Sequence, residues 1–131
     1  MKIRAANFIA LLLFIWSACE AYTPTPTMHV TTLVPANEPF FQAAGASGFF
    51  FYTDTNVDFD PAAFPCLVNH TTNLFGIPKA NPSPTGGGDN PAYRDHVNAV
   101  MLAFTLNKPI VVGVEGCISG VPRVVVMFIS E

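Results

Sequence analysis

Oxygen-bearing side chains recur at alternate positions in one short stretch of this chain, and this spacing is the first candidate for chemistry. The four positions are Asp54, Asn56, Asp58 and Asp60. Carboxylate and amide oxygens are the ligands that Ca²⁺ prefers, and a loop that curls around the ion brings alternate residues together. Phe59 stands where such a loop has its glycine, and Pro65 where it has its bidentate glutamate. A weak calcium site and a solvated acidic turn both stay open, and we predict no metal and no cofactor.

The cysteines bear on how the domain is cross-linked. Cys19 belongs to a segment that we expect to be removed, which leaves Cys66 and Cys117 as an even pair. In an exported chain such a pair is most simply a disulfide, because the compartment is oxidising. Closing a loop of about fifty residues stabilises a fold by about 4 kcal/mol when chain entropy dominates. The sequence therefore predicts a Cys66–Cys117 disulfide.

Residue types used in catalysis are present but do not form a motif. His29, His70 and His96 are too scattered in sequence for a zinc motif. Ser47 and Ser119 lie in glycine-rich turns, but neither has the Gly-x-Ser-x-Gly spacing that positions a serine nucleophile. No pair of carboxylates stands in apolar surroundings that would raise one pKa for glycosidase chemistry. We predict that the protein is not an enzyme.

The amino-terminal segment has the three parts of a secretory signal peptide. Met1-Lys2-Ile3-Arg4 is basic, residues 8–16 are apolar, and small and polar residues follow up to Ala21. We expect cleavage after Ala21 and export to the periplasm or the cell exterior. The apolar run is shorter than the roughly 20 residues of a spanning helix, so we expect no membrane span in the mature chain. In an alternative interpretation Cys19 carries a lipid anchor, because small residues precede it.

The charge of the mature chain excludes one class of partner. Removal of residues 1–21 takes away Lys2, Arg4 and Glu20 and leaves four basic and eight acidic side chains, a net charge of −4. Nucleic-acid binding by phosphate neutralisation depends on clustered Lys and Arg. We therefore exclude nucleic acid as a partner.

Strands dominate the pattern beyond the signal peptide. Residues 22–27 read Tyr-Thr-Pro-Thr-Pro-Thr and predict an extended leader, since alternating prolines exclude a helix and a central strand. Residues 71–90 are rich in proline and glycine and predict a long loop, which is either a binding surface or disordered. The last two strands form a hairpin across residues 116–122. Runs of β-branched and aromatic residues predict strands at 28–34, 49–53, 66–68, 110–115 and 123–129.

One helix is predicted from Pro91 to Asn107. Asn90 has the side chain of an N-cap residue, and Pro91 suits the first helical position. Apolar residues occupy both sides of this helix. One side carries Val97, Val100, Met101 and Phe104, and the opposite side carries Ala99, Leu102, Ala103 and Leu106. The second set is either a subunit interface or is covered by another part of the chain.

The order of these elements indicates a fold class. Three strands, a helix and two strands match the oligonucleotide/oligosaccharide-binding (OB) barrel, in which the helix lies between the third and fourth strands. We predict one domain over residues 28–131, mainly β with one helix, as an OB-like five-stranded barrel. The alternative is an α+β layer with the helix packed on an antiparallel sheet.

The carboxy-terminal third carries a more specific resemblance. Leu102-Ala103-Phe104-Thr105-Leu106-Asn107-Lys108-Pro109 precedes Ile110-Val111-Val112-Gly113-Val114, and Cys117, Gly120 and Val124-Val125-Val126 follow. This order resembles small exported bacterial proteins of unknown function and, more distantly, the B subunits of subtilase-type AB5 toxins. Those B subunits are exported OB-folds with an intrachain disulfide that form pentameric rings and bind sialylated glycans. This fold, assembly and ligand are what the resemblance implies.

These observations lead to a first expectation of function. We expect an exported, non-enzymatic module that binds a glycan or another exported protein and forms a homo-oligomer through its helix. The alternative is a ligand-free structural protein of the periplasm or envelope.

Overall fold

The computed structural model describes residues 22–34, 48–80 and 88–131, and within them the protein is mainly β with one helix. The predicted signal peptide and Cys19 lie outside these residues. The elements are β1 (Thr23–Pro24), β2 (Val30–Leu33), β3 (Gly48–Asp58), β4 (Thr71–Pro78), α1 (Tyr93–Leu106), β5 (Ile110–Ile118) and β6 (Val121–Ile129).

The described strands form one mixed sheet of six in the order β1-β5-β6-β4-β3-β2. β4 and β6 are parallel and meet where Gly76 pairs with Arg123, whereas the other neighbours are antiparallel. Between β1 and β2 in sequence, Met28 and Ile110 exchange backbone hydrogen bonds of 2.8 and 2.7 Å. The segment 23–33 therefore contacts β5 through its first half and β3 through its second half.

The proline-rich leader is part of this sheet. Thr23 and Pro24 pair with β5, and the backbone N–H of Thr25 donates to the carbonyl oxygen of Val112 at 2.8 Å. The hydroxyl of Thr25 accepts a hydrogen bond from the Val112 N–H at 3.1 Å. Prolines are compatible with this position because β1 is an outer strand of the sheet order.

Two sequence predictions around β4 are wrong. Residues 66–68 form turns rather than a strand. β4 instead occupies the first part of the segment 71–90, which we predicted as a loop. Phe75 and Ile77 are fully buried in β4, and Pro78 is its last residue, where a missing N–H does least damage to the ladder. The prolines and glycines that follow β4 gave the whole segment a loop composition and concealed this apolar strand.

The main hydrophobic core packs both halves of the sheet against the inner side of α1. Phe51 and Phe75 lie on neighbouring strands with ring centroids 5.8 Å apart, and Val100 and Ala103 of α1 join the same cluster. Fully burying a side chain of Phe or Val size stabilises the fold by roughly 1.5–3 kcal/mol. This packing holds β3 and β4 together.

The helix begins later than the sequence predicts. Its N-cap is Ala92 rather than Asn90, and Pro91 lies outside the helix. The side-chain oxygen of Asn90 accepts a hydrogen bond from the Ala92 N–H at 3.1 Å, which forms a turn that leads into α1. The helix ends at Leu106, and Asn107 takes the left-handed conformation with φ 51°. No helix in the described ranges is long and apolar enough to cross a membrane.

The predicted interface on α1 is partly wrong. Ala103 is 1% exposed and belongs to the core, whereas Leu102 and Leu106 are 51% and 57% exposed. Met101 and Phe104, which we placed on the same side of the helix as Val100, are also exposed. The inner face is narrow because it is centred on Val100 and Ala103, so the residues next to these in sequence turn towards solvent.

Candidate ligand-binding groove

A cavity of about 370 Å³ lies where β3, β4 and the β5–β6 turn meet, and we call it the Tyr52 groove. Its volume falls in the range of small-molecule sites. Among the residues that the structure describes, none of the side chains lining it carries a formal charge. The lining residues are Tyr52, Asn56, Val68, Asn69, Thr71, Thr72, Asn73, Leu74, Ser119, Gly120 and Val121.

An irregularity in β3 shapes one side of this groove. Tyr52 pairs with Leu74 and Val57 pairs with Thr72, so residues 53–56 of β3 lie opposite the single residue Asn73 of β4. Bulges of this kind twist a strand and re-aim its side chains. Tyr52, which precedes the bulge, and Asn56, its last residue, both line the groove.

Side-chain hydrogen bonds hold the bulge in place. The amide nitrogen of Asn73 donates to the backbone oxygen of Thr53 at 3.0 Å. The hydroxyl of Thr53, which is 1% exposed, lies 3.1 Å from the backbone oxygen of Thr55 and 3.4 Å from that of Asn73. Buried backbone groups that leave the regular ladder need such partners, so Thr53 and Asn73 stabilise the bulge.

The other side of the groove is a tight hairpin turn. β5 and β6 are joined by Ser119 and Gly120 alone, which is shorter than the predicted connection 116–122. Both residues have positive φ, 49° and 77°, as a two-residue type I′ turn requires. A Cβ atom on Gly120 would lie 2.4 Å from Cγ2 of Val68, so glycine also permits the close approach of the neighbouring segment.

The disulfide joins that neighbouring segment to the hairpin. Cys66 and Cys117 are bonded, with Cα atoms 6.1 Å apart, which confirms the predicted pairing. The N–H of Val68 donates to the backbone oxygen of Gly120 at 3.0 Å. One disulfide and one backbone hydrogen bond therefore join the segment around Val68 to the β5–β6 hairpin, and both of these parts contribute to the groove.

Several polar groups in the groove are available to a ligand. The side chains of Tyr52, Asn56, Asn69 and Ser119 make no hydrogen bond to any residue that the structure describes. Tyr52 is 36% exposed, so about a third of its surface is open to solvent. The groove thus presents an aromatic ring beside uncharged donors and acceptors.

The acidic stretch is not the curled loop that calcium binding would need. Residues 54–58 belong to β3, so Asp54, Asn56 and Asp58 lie along a strand instead of in a loop that surrounds an ion. Asp58 accepts a hydrogen bond from the hydroxyl of Thr71, and Asp60 accepts one from the Ala62 N–H. Within the described residues, no three His, Cys, Asp or Glu side chains lie together as a possible metal site.

Asp54 has a structural role at the start of β2. One carboxylate oxygen accepts a hydrogen bond from the His29 N–H at 2.9 Å, and the other lies 3.3 Å from Nδ1 of His29. The backbone N–H of His29 contributes most to lowering the pKa of Asp54, and the hydroxyl of Thr55 lowers it further. This carboxylate is therefore occupied by protein donors.

The other two histidines considered as zinc ligands lie in different parts of the fold, His70 before β4 and His96 on α1. Nε2 of His70 lies 3.2 Å from the backbone oxygen of Phe64 and fixes the turn before β4. His96 is on α1, and burial lowers its pKa more than nearby Asp95 raises it. Nδ1 of His96 is buried and has no hydrogen-bond partner in the described part of the chain.

A second cavity of about 280 Å³ lies between the end of β4 and the start of α1. Lys79, Asp89, Tyr93 and Arg94 are among its lining residues. It is smaller than the Tyr52 groove and mixes both signs of charge.

Sequence reasoning found part of this site for an incorrect reason. Because residues 71–90 had loop composition, we gave them as either a binding surface or a disordered loop, and residues 71–74 do line the groove. They do so as part of a strand. The sequence analysis assigned Tyr52 only to a buried strand. Nothing in the sequence indicated that Asn56 and Asn69 lie beside it in the fold.

We compared the chain with models of protein families, with curated proteins and with solved structures. None of the three comparisons finds a match.

Proposed function

We propose that this protein is a non-enzymatic binding module that takes a glycan in the Tyr52 groove. The observation that carries the proposal is a half-exposed tyrosine beside amide and hydroxyl side chains that have no hydrogen-bond partner in the described structure. A sugar ring has an apolar C–H face that packs on an aromatic ring, and its hydroxyls exchange hydrogen bonds with amides. Asn56, Asn69 and Ser119 supply such partners around Tyr52.

The described strands form a mixed six-stranded sheet rather than the closed five-stranded barrel that we predicted, but the course of residues 23–33 supports an OB-like arrangement. Residues 23–33 pair with β5 and then with β3, so they serve as one bent strand that contacts both outer parts of the sheet order. Counted in this way the domain has five strands, with the helix between the third and fourth and a parallel pair between the third and fifth. We propose an OB-like barrel on these grounds.

The position of the groove agrees with this proposed fold. OB-folds bind oligosaccharides on the face of the second and third strands, beside the loop between the fourth and fifth. In this chain the corresponding elements are β3, β4 and the Ser119–Gly120 turn, and all three contribute to the groove. The groove therefore lies where an OB-like barrel would present its ligand face.

A glycan array followed by calorimetric titration tests the proposal. We expect the protein to bind at least one class of saccharide and Tyr52→Ala to weaken that binding by about tenfold or more, because truncating a central aromatic anchor removes most of its contact area. Tyr22→Ala is the matched control, since Tyr22 has a similar exposure of 37% and does not line the groove. Equal losses in both variants, or no binding to any saccharide, would contradict a glycan site at Tyr52.

A second proposal concerns self-association. Met101, Leu102, Phe104 and Leu106 expose 41–57% of their surface on one helix, and exposed apolar patches of this kind mark interaction surfaces. We propose that α1 contributes to a homo-oligomer. Native mass spectrometry in oxidising buffer should give a multimer that Leu102→Lys with Leu106→Lys converts to a monomer, while a wild-type monomer would refute this proposal.

We also propose that the protein acts outside the cytoplasm. A disulfide is compatible with a periplasmic or extracellular compartment. Fractionation of cells that express the full chain, with the mass of the mature amino terminus, tests export and cleavage after Ala21. A protein that is exported and monomeric but binds no saccharide would instead fit a ligand-free structural role in the envelope.

A further inference from the structure

We infer that the Tyr52 groove selects uncharged saccharides and rejects acidic ones. The inference rests on the proposed function and adds the chemical class of the ligand. Its basis is the juxtaposition of a groove without basic side chains and a carboxylate, Asp58, that is hydrogen-bonded to the groove residue Thr71.

The described basic residues all lie outside the groove lining. Lys79 and Arg94 line the second cavity, and Lys108 follows the end of α1. Arg123 is on β6, where its Nε donates to the backbone oxygen of Glu115 at 2.8 Å. A ligand carboxylate in the groove would therefore lose water without gaining a charged partner, which is costly for an ionised group.

The groove is instead suited to uncharged hydroxyls. Asn56 and Asn69 each offer two N–H donors and one carbonyl acceptor, and Ser119 can donate and accept. Each of these groups can pair with a sugar hydroxyl, which also donates and accepts. An acidic sugar replaces one hydroxyl or hydroxymethyl with an acceptor-only carboxylate, so it uses fewer of the groups in the groove.

The charge beside the groove acts in the same direction. Asp58 is exposed and accepts a hydrogen bond from the hydroxyl of Thr71, so its carboxylate is one side chain away from the lining. Asp54 lies on the same strand, within the bulge between Tyr52 and Val57. Both carboxylates would repel a ligand carboxylate in the groove. This repulsion is weak at physiological salt and stronger at low salt, where the screening length is longer.

Paired ligands test the selectivity directly. An array printed with hexose-terminated and matching hexuronate-terminated oligosaccharides, and with sialylated and unsialylated pairs, is probed at about 10 mM and about 150 mM salt. We expect the wild-type protein to bind the neutral member of a pair roughly three- to tenfold more tightly at low salt, and the ratio to narrow at the higher salt.

Two isosteric variants locate the origin of the preference. Asp58→Asn keeps an oxygen that accepts from Thr71 but removes the charge, and it should reduce the neutral-to-acidic ratio by about two- to threefold at low salt. Asp95→Asn is the control, because Asp95 is an exposed acid in the first turn of α1 and does not line the groove. It should leave the ratio unchanged.

The outcomes separate this inference from the function on which it rests. Equal or tighter binding of the acidic member would overturn the selectivity and leave glycan binding intact. An unchanged ratio in Asp58→Asn, or the same change in Asp95→Asn, would overturn the part of the inference that assigns a repulsive role to the Asp58 carboxylate. Failure to bind any saccharide would overturn the proposed function and this inference together.

Discussion

Removal of the disulfide should destabilise the whole domain. It should also open the rim of the Tyr52 groove at urea concentrations too low to unfold the rest of the domain. The perturbation is the double substitution Cys66→Ser with Cys117→Ser, which removes the cross-link between two segments that are 51 residues apart in sequence. For a loop of this length the chain-entropy relation gives about 4 kcal/mol of lost stability. This is a large part of the roughly 5–15 kcal/mol that a typical domain has in total.

Urea unfolding measured by circular dichroism tests this magnitude. We expect the midpoint to fall and the slope of unfolding free energy against urea to rise, because the unfolded chain without the cross-link exposes more surface. In a thermal scan the same loss corresponds to a fall in Tm of about 15–30 °C for a domain of this size. Wild-type protein that has been reduced and alkylated should behave like the double variant.

Amide hydrogen exchange gives the local part of the prediction. Leu67 is 6% exposed and stays anchored in the core, whereas Val68 is 85% exposed and holds the rim through its N–H to Gly120. The Val68 amide should therefore lose protection in the double variant at urea concentrations where the β5–β6 amides remain protected. A stability loss below about 1 kcal/mol would refute the chain-entropy argument. Unchanged protection at Val68 would refute the assignment of the rim.

Three further predictions concern single residues. Thr53→Val keeps the shape of the side chain but leaves the carbonyls of the bulge without a hydroxyl, so the free energy of unfolding in urea should fall by about 1–3 kcal/mol, and no loss would contradict the role of this hydroxyl. Gly120→Ala places a Cβ 2.4 Å from Val68 at a φ of 77°, so it should lower the unfolding midpoint and the protection of the Val68 amide, and a neutral effect would show that the turn can rearrange. Burial lowers the pKa of His96, so the unfolded state binds a proton more readily; stability should fall as the pH drops below about 6.5, and His96→Gln should remove this part of the pH dependence of Tm.

Local sequence patterns predicted several elements correctly. The β-branched runs of β5 and β6 and the periodic apolar residues of α1 mark elements whose own composition agrees with their final structure. The pairing of Cys66 with Cys117 was predicted once Cys19 had been assigned to the signal peptide, since the two remaining cysteines allow one intrachain disulfide. Each of these inferences depended either on residues close in sequence or on the small number of cysteines available to pair.

β4 shows where local patterns fail. Its composition averages with that of the glycine- and proline-rich residues that follow, so a window over residues 71–90 indicates a loop. The strand forms because Phe75 and Ile77 gain a fully buried position between β3 and β6. That gain depends on neighbours that are distant in sequence, which no local window contains.

The candidate site depended on such distant neighbours throughout. The sequence alone determined that the chain is mainly β with one helix and, with Cys19 assigned to the signal peptide, that two cysteines remain to form a pair. Its few Lys and Arg residues led us to predict that it does not bind nucleic acid. Only the tertiary structure brought Tyr52, Asn69 and Ser119 together, because a bulge in β3, a turn stapled by a disulfide and a two-residue hairpin meet at one place. Secondary structure follows from periodicity along the chain, whereas a binding groove follows from which strands become neighbours, and burial of the whole core decides that.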